Sequence, residues 1–117
     1  MSESKISKID LSILAFITDS VCRTFDLTIE QLIDWRGQSR DRNLAMARTA
    51  AMYLTSANTD IPKTRIAQLF GTKNAITVRD AVKRVKFDAY KSIYLSNFID
   101  FNTHAIHEHR LTKSNKI

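Results

Sequence analysis

The chain contains few of the residues that interrupt helices or cross-link small folds: two glycines, one proline and one cysteine among 117 residues. A β-rich domain with many turns uses more glycine and proline than this, whereas long runs of Ala, Leu, Ile, Lys and Arg favour helix. The lone Cys22 excludes an internal disulfide framework and suits a reducing compartment. The length fits one compact domain. These counts predict an all-α domain.

Further features missing from the sequence argue against several classes of function. No window approaches 18 consecutive apolar residues and the first residues are polar, so we expect a cytoplasmic protein that does not bind membranes. No glycine-rich phosphate loop is followed by Lys and Ser or Thr, which predicts no nucleotide cofactor. Cys22 has no neighbouring histidine, so we expect no enzyme activity. His104, His107 and His109 lack the further ligands of a tetrahedral metal shell, so we expect solvated histidines and no metal.

The positive charge is concentrated in the middle of the chain. Residues 1–34 carry a net −3, residues 35–91 carry +8 and residues 92–117 carry +1, which together give the formal +6. Such a basic block favours a polyanionic partner. A basic membrane-surface helix is disfavoured, because the apolar face beside these charges is narrow and belongs to the core.

The segment 61–85 predicts two short helices joined by a glycine turn. Pro62 suits a helix start, and Gly71 follows the last apolar residue of the first helix, where a positive φ commonly ends a helix. Asn74 is a good N-cap for a second helix that begins near Ala75. The pattern is typical of a DNA-binding helix-turn-helix, although an ordinary helical hairpin with a solvated basic face is the alternative.

In the second helix, apolar and basic residues occupy different faces. Val78, Ala81, Val82 and Val85 have the spacing of a buried stripe, while Arg79, Lys83 and Lys86 form a basic stripe. In a helix-turn-helix the start of the second helix contacts base edges in the major groove. The residues at that end are Asn74, Ala75, Ile76 and Thr77.

The preceding residues predict three further helices around an arginine-rich loop. Residues 9–25 have amphipathic helical spacing, Thr28 and Gln31 have the spacing of a capping box for a helix over 29–35, and the alanine-rich run 45–57 predicts a central buried helix. The segment 36–48 predicts a basic loop suited to phosphate contacts, with a merely solvated loop as the alternative. Arg48 is expected to project from the domain beside that loop.

Residues 89–111 predict a helical extension with an aromatic face. It either folds back on the first helix or meets a partner, and a homodimer through Phe87, Tyr90, Tyr94 and Phe98 is one expectation, since helix-turn-helix proteins often bind as dimers. We expect polar tails at 1–8 and 112–117 on either side of the domain 9–88 and this extension.

The order of these segments resembles the C-terminal DNA-binding domain of the bacterial replication initiator DnaA. The resemblance covers roughly residues 10–88 and includes the helix ending AMYL and the IAQLFG turn. It implies that Arg48 inserts into the minor groove and that the helix from Ala75 contacts bases in the major groove. The resemblance also implies that loop cations hold phosphates. With the basic stripe of the second helix, the cations that we expect to contact phosphates are Arg40, Arg42, Lys63, Lys73, Arg79 and Lys83.

One motif departs from the family. Where the family typically has Gly-Arg-Asp-His-Thr-Thr-Val, residues 72–78 are TKNAITV. The acid, the histidine and the first threonine are replaced, so we expect the fold to be retained and the target sequence to change. The chain is therefore predicted to bind double-stranded DNA sequence-specifically as a regulator of transcription or replication. The alternative is a protein-interaction module that has lost sequence-specific DNA binding.

Overall fold

The computed structural model describes residues 6–33, 42–72, 75–88 and 93–115, and within these ranges the chain forms six helices and no strand. The helices are α1 (Lys8–Phe25), α2 (Ile29–Ile33), α3 (Arg42–Asn58), α4 (Lys63–Leu69), α5 (Ala75–Asp88) and α6 (Ile93–Asn115). The prediction of an all-α fold is confirmed. No helix in the described part is long and apolar enough to cross a membrane.

Helix α1 begins one residue before the predicted start and is capped by Ser7, whose Oγ accepts a hydrogen bond from the backbone N–H of Asp10 at 3.1 Å. This bond satisfies a donor that the first turn of a helix leaves unpaired. The buried Asp10 carboxylate in turn accepts from the backbone N–H of Asp60 at 3.2 Å. The start of α1 is thereby joined to the segment that follows α3.

Helix α2 has the predicted capping box. The backbone N–H of Thr28 donates to Gln31 Oε1 at 2.9 Å, and the N–H of Gln31 donates to Thr28 Oγ1 at 3.1 Å. These reciprocal bonds satisfy two donors at the helix start and explain why so short a helix begins at Ile29. The predicted C-terminal part of this helix, including Trp35, lies outside the described residues.

Helix α3 is the central helix, as predicted, and contacts each of the other five. Ala47, Ala50 and Ala51 are fully buried, and their small side chains let neighbouring helices approach closely. The helix begins at Arg42, three residues before the predicted start. The last part of the predicted basic loop is therefore helical, while residues 34–41 lie outside the described part of the chain.

Helix α6 folds back onto α1 and α3. Asn102 is fully buried there and accepts a 2.6 Å hydrogen bond from Ser20 Oγ of α1, while its amide donates to the carbonyl of Phe98. His109 stacks on Phe16 with 6.0 Å between ring centroids, and its Nε2 lies 2.6 Å from Ser12 Oγ. The prediction that His109 is solvated is wrong, because α6 brings its ring against α1.

One core connects the helices. Helix α1 contributes every fourth residue, and α4, α5 and α6 each contribute one apolar face. The largest fully buried apolar side chains are Ile13, Ile17, Val21, Leu32, Met52, Leu54, Ile66, Phe70, Val78, Val85 and Ile106.

Candidate nucleic-acid interface

Helices α4 and α5 form the predicted helix-turn-helix, and the turn has the geometry of a glycine-terminated helix. Gly71 has φ of 76°, its N–H donates to the Gln68 carbonyl at 3.2 Å, and the N–H of Thr72 donates to the Ala67 carbonyl at 2.9 Å. This pair of bonds is the Schellman motif, in which glycine adopts the left-handed conformation without a Cβ clash. Phe70 is buried just before the turn and anchors it to the core.

Helix α5 begins at Ala75, as predicted, and its two faces differ in chemistry. Val78, Ala81 and Val85 are buried, so one face of the helix packs into the domain. The opposite face is exposed and bears cations, including Arg79 and Lys83. The basic face of α5 is therefore exposed to solvent, while the opposite face holds the helix on the domain.

The predicted base-contacting residues occupy the first turn of α5. Ala75 and Thr77 are half-buried, whereas Ile76 is 60% exposed. A branched apolar side chain at an exposed position gains nothing from core packing, but it suits contact with a thymine methyl group in the major groove. Asn74 lies outside the described residues.

The described cations extend over both helices. Lys63 on α4 and Arg79 and Lys83 on α5, all predicted to contact phosphates, are exposed. Arg40 and Lys73 lie outside the described residues, as does the side chain of Arg42. Beyond the cations predicted to contact phosphates, these two helices also expose Arg65, Arg84 and Lys86. Lys86 lies seven residues after Arg79, about two helical turns, and that spacing could have identified it. Arg65 and Arg84 could have been identified because they lie outside the buried faces of α4 and α5.

An exposed carboxylate also lies on this face and was not singled out from the sequence. Asp80 is one helical turn beyond Ile76, so the two side chains share a face of α5. Its spacing relative to Ile76 could have identified it. An acidic side chain beside phosphates is repulsive, whereas it accepts a hydrogen bond from the amino group of cytosine.

The position predicted for Arg48 is wrong. Instead of projecting from the domain, the side chain is 7% exposed. Its Nε donates to the carbonyl oxygen of Leu32 and its Nη2 donates to that of Gln31, each at 2.9 Å. These carbonyls belong to the last turn of α2, where a helix lacks its own donors and carries partial negative charge. Arg48 therefore caps α2 and holds it on α3.

The predicted dimer surface is also partly occupied within the chain. Phe98 packs edge-to-face against Phe25 of α1, with 5.5 Å between ring centroids. Phe98 of α6 is thus partly buried against α1, which reduces the surface that it can offer to a partner. Phe87 is 63% exposed, while Tyr90 and the side chain of Tyr94 lie outside the described residues.

The described part of the chain contains no cluster of three or more His, Cys, Asp or Glu side chains able to hold a metal ion. Burial, reinforced by the negative charge of Asp19, raises the pKa of the Cys22 thiol above its ordinary value. The half-buried thiol is therefore kept protonated near neutral pH and packs as a small apolar side chain at the edge of the core.

An all-α domain with a helix-turn-helix whose second helix bears exposed cations is the arrangement of a helix-turn-helix DNA-binding protein. Residues 14–85 match the family model described as bacterial dnaA protein helix-turn-helix. Because the match covers more than half of the chain, the chain belongs to this family, and the resemblance noted from the sequence is confirmed.

Three relatives illustrate the match, each a chromosomal replication initiator protein DnaA. The protein of Bacteroides fragilis is 37% identical over 70 residues, which cover 60% of this chain and 14% of the relative. That of Gloeothece citriformis is 30% identical over 91 residues, 78% of this chain and 19% of the relative. That of Thermodesulfovibrio yellowstonii is 31% identical over 87 residues, 74% and 19% respectively. The chain thus spans less than a fifth of the length of these relatives.

Proposed function

We propose that the chain binds double-stranded DNA sequence-specifically through α4 and α5, in the control of replication or transcription. The first turn of α5 lies in the major groove, with Asn74, Ala75, Ile76 and Thr77 at the base edges. Lys63, Arg79 and Lys83 hold phosphates, together with Arg40, Arg42 and Lys73. The protein acts by binding and is not an enzyme, and the cytoplasm is the compartment in which it meets its DNA.

The single observation that carries the proposal is the division of α5 into two faces. Val78 and Val85 hold the helix on the domain, while Arg79 and Lys83 are exposed beside the 60% exposed Ile76. A helix with apolar and hydrogen-bonding groups between cations can contact base edges and phosphates together. Family membership supports duplex DNA as the polyanion, because the relatives are named as chromosomal replication initiators.

Arg48 has a supporting role in this proposal. Its insertion into the minor groove requires the loss of both hydrogen bonds to the end of α2 and removal of the side chain from a buried position. The bonds to a charged donor are each worth about 1.5–3 kcal/mol, which DNA contacts must replace. We therefore assign the direct contacts to α4, α5 and the basic segment that ends at Arg42.

The test is selection of bound sequences from random duplex DNA at near-physiological salt, for the wild-type chain and for Ile76→Ala. The proposal expects an enriched motif in the wild type and a changed preference at one or two positions in the variant. Ile29→Ala is a matched control, because Ile29 is 48% exposed on α2, a helix that packs on α1 and α3. Enrichment that is identical for all three proteins contradicts the role of Ile76.

A second candidate function is protein recognition by the same surface. The observation that favours it is the exposed Ile76, since an exposed large apolar side chain also suits a protein partner. This candidate predicts no duplex binding at physiological salt. Binding without an enriched motif instead indicates a sequence-neutral role on DNA.

A further inference from the structure

The outward face of α6 carries a regular pattern of side chains. Phe101, His104, Glu108 and Leu111 are all exposed and follow one another at intervals of three, four and three residues. These intervals are those of the contact seam of a coiled coil. The opposite face carries the buried Ile99, Asn102 and Ile106, so the seam points directly away from the core.

The two ends of this seam are exposed apolar side chains. Phe101 is 69% exposed and Leu111 is 46% exposed. They lie ten residues apart, about 15 Å along the helix axis, with His104 and Glu108 between them. Helix α6 continues to Asn115, so Leu111 lies within the helix and has a further turn after it.

The pattern is symmetric about residue 106. When two copies of α6 are laid antiparallel across a two-fold axis at that position, Phe101 of one copy faces Leu111 of the other, and His104 faces Glu108. In a two-fold interface the same patch must be complementary to itself. This seam meets that requirement in both its apolar and its polar positions.

We infer that the outward face of α6 is a homodimer interface in which two copies of this chain pack antiparallel. Each apolar side chain covers an apolar side chain of the other copy. The imidazole of His104 donates a hydrogen bond to the carboxylate of Glu108 across the axis, in place of the 4.0 Å contact between these two side chains within one chain. The same pairing disfavours a parallel arrangement, which places Glu108 opposite Glu108.

The interface differs from the one that the sequence predicts through Phe87 and Phe98, and it does not depend on DNA binding. Helix α6 packs on α1 and α3, whereas α5 packs on α3 and α4, so the dimer leaves the basic face of α5 uncovered. An interface with two large apolar side chains per copy is small compared with the roughly 1,200 Å² at the lower end of stable interfaces. We therefore expect a weak dimer that forms at high protein concentration.

The test is sedimentation equilibrium of the full chain over a concentration series up to about 1 mM, without DNA. The wild type is expected to show a monomer–dimer equilibrium, and Phe101→Glu to weaken it at least about tenfold, because a carboxylate then faces Leu111. Ile29→Glu is the matched control, since it places a carboxylate at an exposed apolar position on α2 and is expected to leave the equilibrium unchanged. Circular dichroism shows whether each variant retains its helices.

A double variant tests the antiparallel arrangement. Phe101→Glu combined with Leu111→Lys in one chain puts a carboxylate opposite an ammonium group of the other copy, so dimerisation is expected to recover. These two positions are too far apart within one helix to form that pair. A wild type that stays monomeric throughout overturns the proposal, as does a dimer that resists Phe101→Glu but is lost in Phe87→Glu. Failure of the double variant to recover overturns the antiparallel arrangement.

Discussion

The Nε of Arg48 on α3 donates a 2.9 Å hydrogen bond to the carbonyl oxygen of Leu32, the fully buried residue of α2. A second bond runs from the same guanidinium to the carbonyl of Gln31. The planar guanidinium thus satisfies two carbonyls at the end of a five-residue helix. An arginine that the resemblance assigns to the minor groove is, in this structure, a bridge between two helices.

Replacement of Arg48 by Ala is expected to lower the free energy of unfolding by about 3 kcal/mol or more, since two hydrogen bonds from a charged group are lost and each contributes about 1.5–3 kcal/mol. Urea denaturation measures this change. Arg79→Ala is the matched control, because Arg79 is exposed on α5, and it is expected to change stability by less than about 0.5 kcal/mol while weakening DNA binding. Unchanged stability of Arg48→Ala, with loss of specific binding alone, contradicts the bridging role.

Replacement of Lys83 by Ala is expected to weaken binding to all duplex sequences similarly and to reduce the salt slope. Loss of one phosphate contact lowers the magnitude of the slope of log K against log salt by about 1. Fluorescence anisotropy across a salt series provides the measurement. Lys8→Ala removes an exposed cation at the start of α1 and serves as the control. Equal slopes for Lys83→Ala and the wild type exclude the phosphate contact.

Replacement of Asp80 by Asn is expected to strengthen binding to unselected duplex DNA several-fold. The exposed carboxylate lies on the face of α5 proposed to meet DNA, so its removal relieves repulsion from phosphates. Asp100→Asn makes the same change at an exposed position of α6 and controls for net charge alone. If both variants gain affinity equally, the effect is one of net charge, and the proposal that this face of α5 contacts DNA is contradicted.

Replacement of Gly71 by Ala is expected to destabilise the domain by about 1–2 kcal/mol, because φ at this position is 76°. Thermal or urea unfolding measures the loss. Gly71→Asn is the informative comparison, since asparagine tolerates the left-handed conformation better than alanine and is expected to cost less. An alanine variant as stable as the wild type is incompatible with this turn geometry.

Asn102 and Ser20 test whether α6 is an integral part of the domain. Asn102→Ala is expected to cost about 1–3 kcal/mol in unfolding free energy, because it leaves the Ser20 hydroxyl without its partner and opens a small cavity. A double-mutant cycle with Ser20→Ala isolates the pair, and we expect a coupling of at least about 0.5 kcal/mol. If the unfolding free energies of the two single variants simply add in the double variant, the Ser20–Asn102 hydrogen bond contributes little to stability.

Much of the architecture could be predicted from local patterns. The spacing of Ile13, Ile17 and Val21 indicated the buried face of α1, the Thr28–Gln31 pair marked the start of α2, and Gly71 marked the turn between α4 and α5. Each of these signals acts within about one helical turn, where geometry depends on neighbouring residues in the chain. The helix-turn-helix and the basic face of α5 follow from the same kind of pattern.

Local sequence patterns therefore specify the type, order and approximate extent of the helices, together with the concentration of positive charge around α5. Packing between helices sets which polar and aromatic side chains are exposed. Arg48 is buried because it bonds to Leu32 of α2, 16 residues earlier in the chain. His109 stacks on α1 because contacts such as the hydrogen bond from Ser20 to the fully buried Asn102 hold α6 there. Such outcomes depend on contacts between segments distant in the chain, which helical periodicity does not encode.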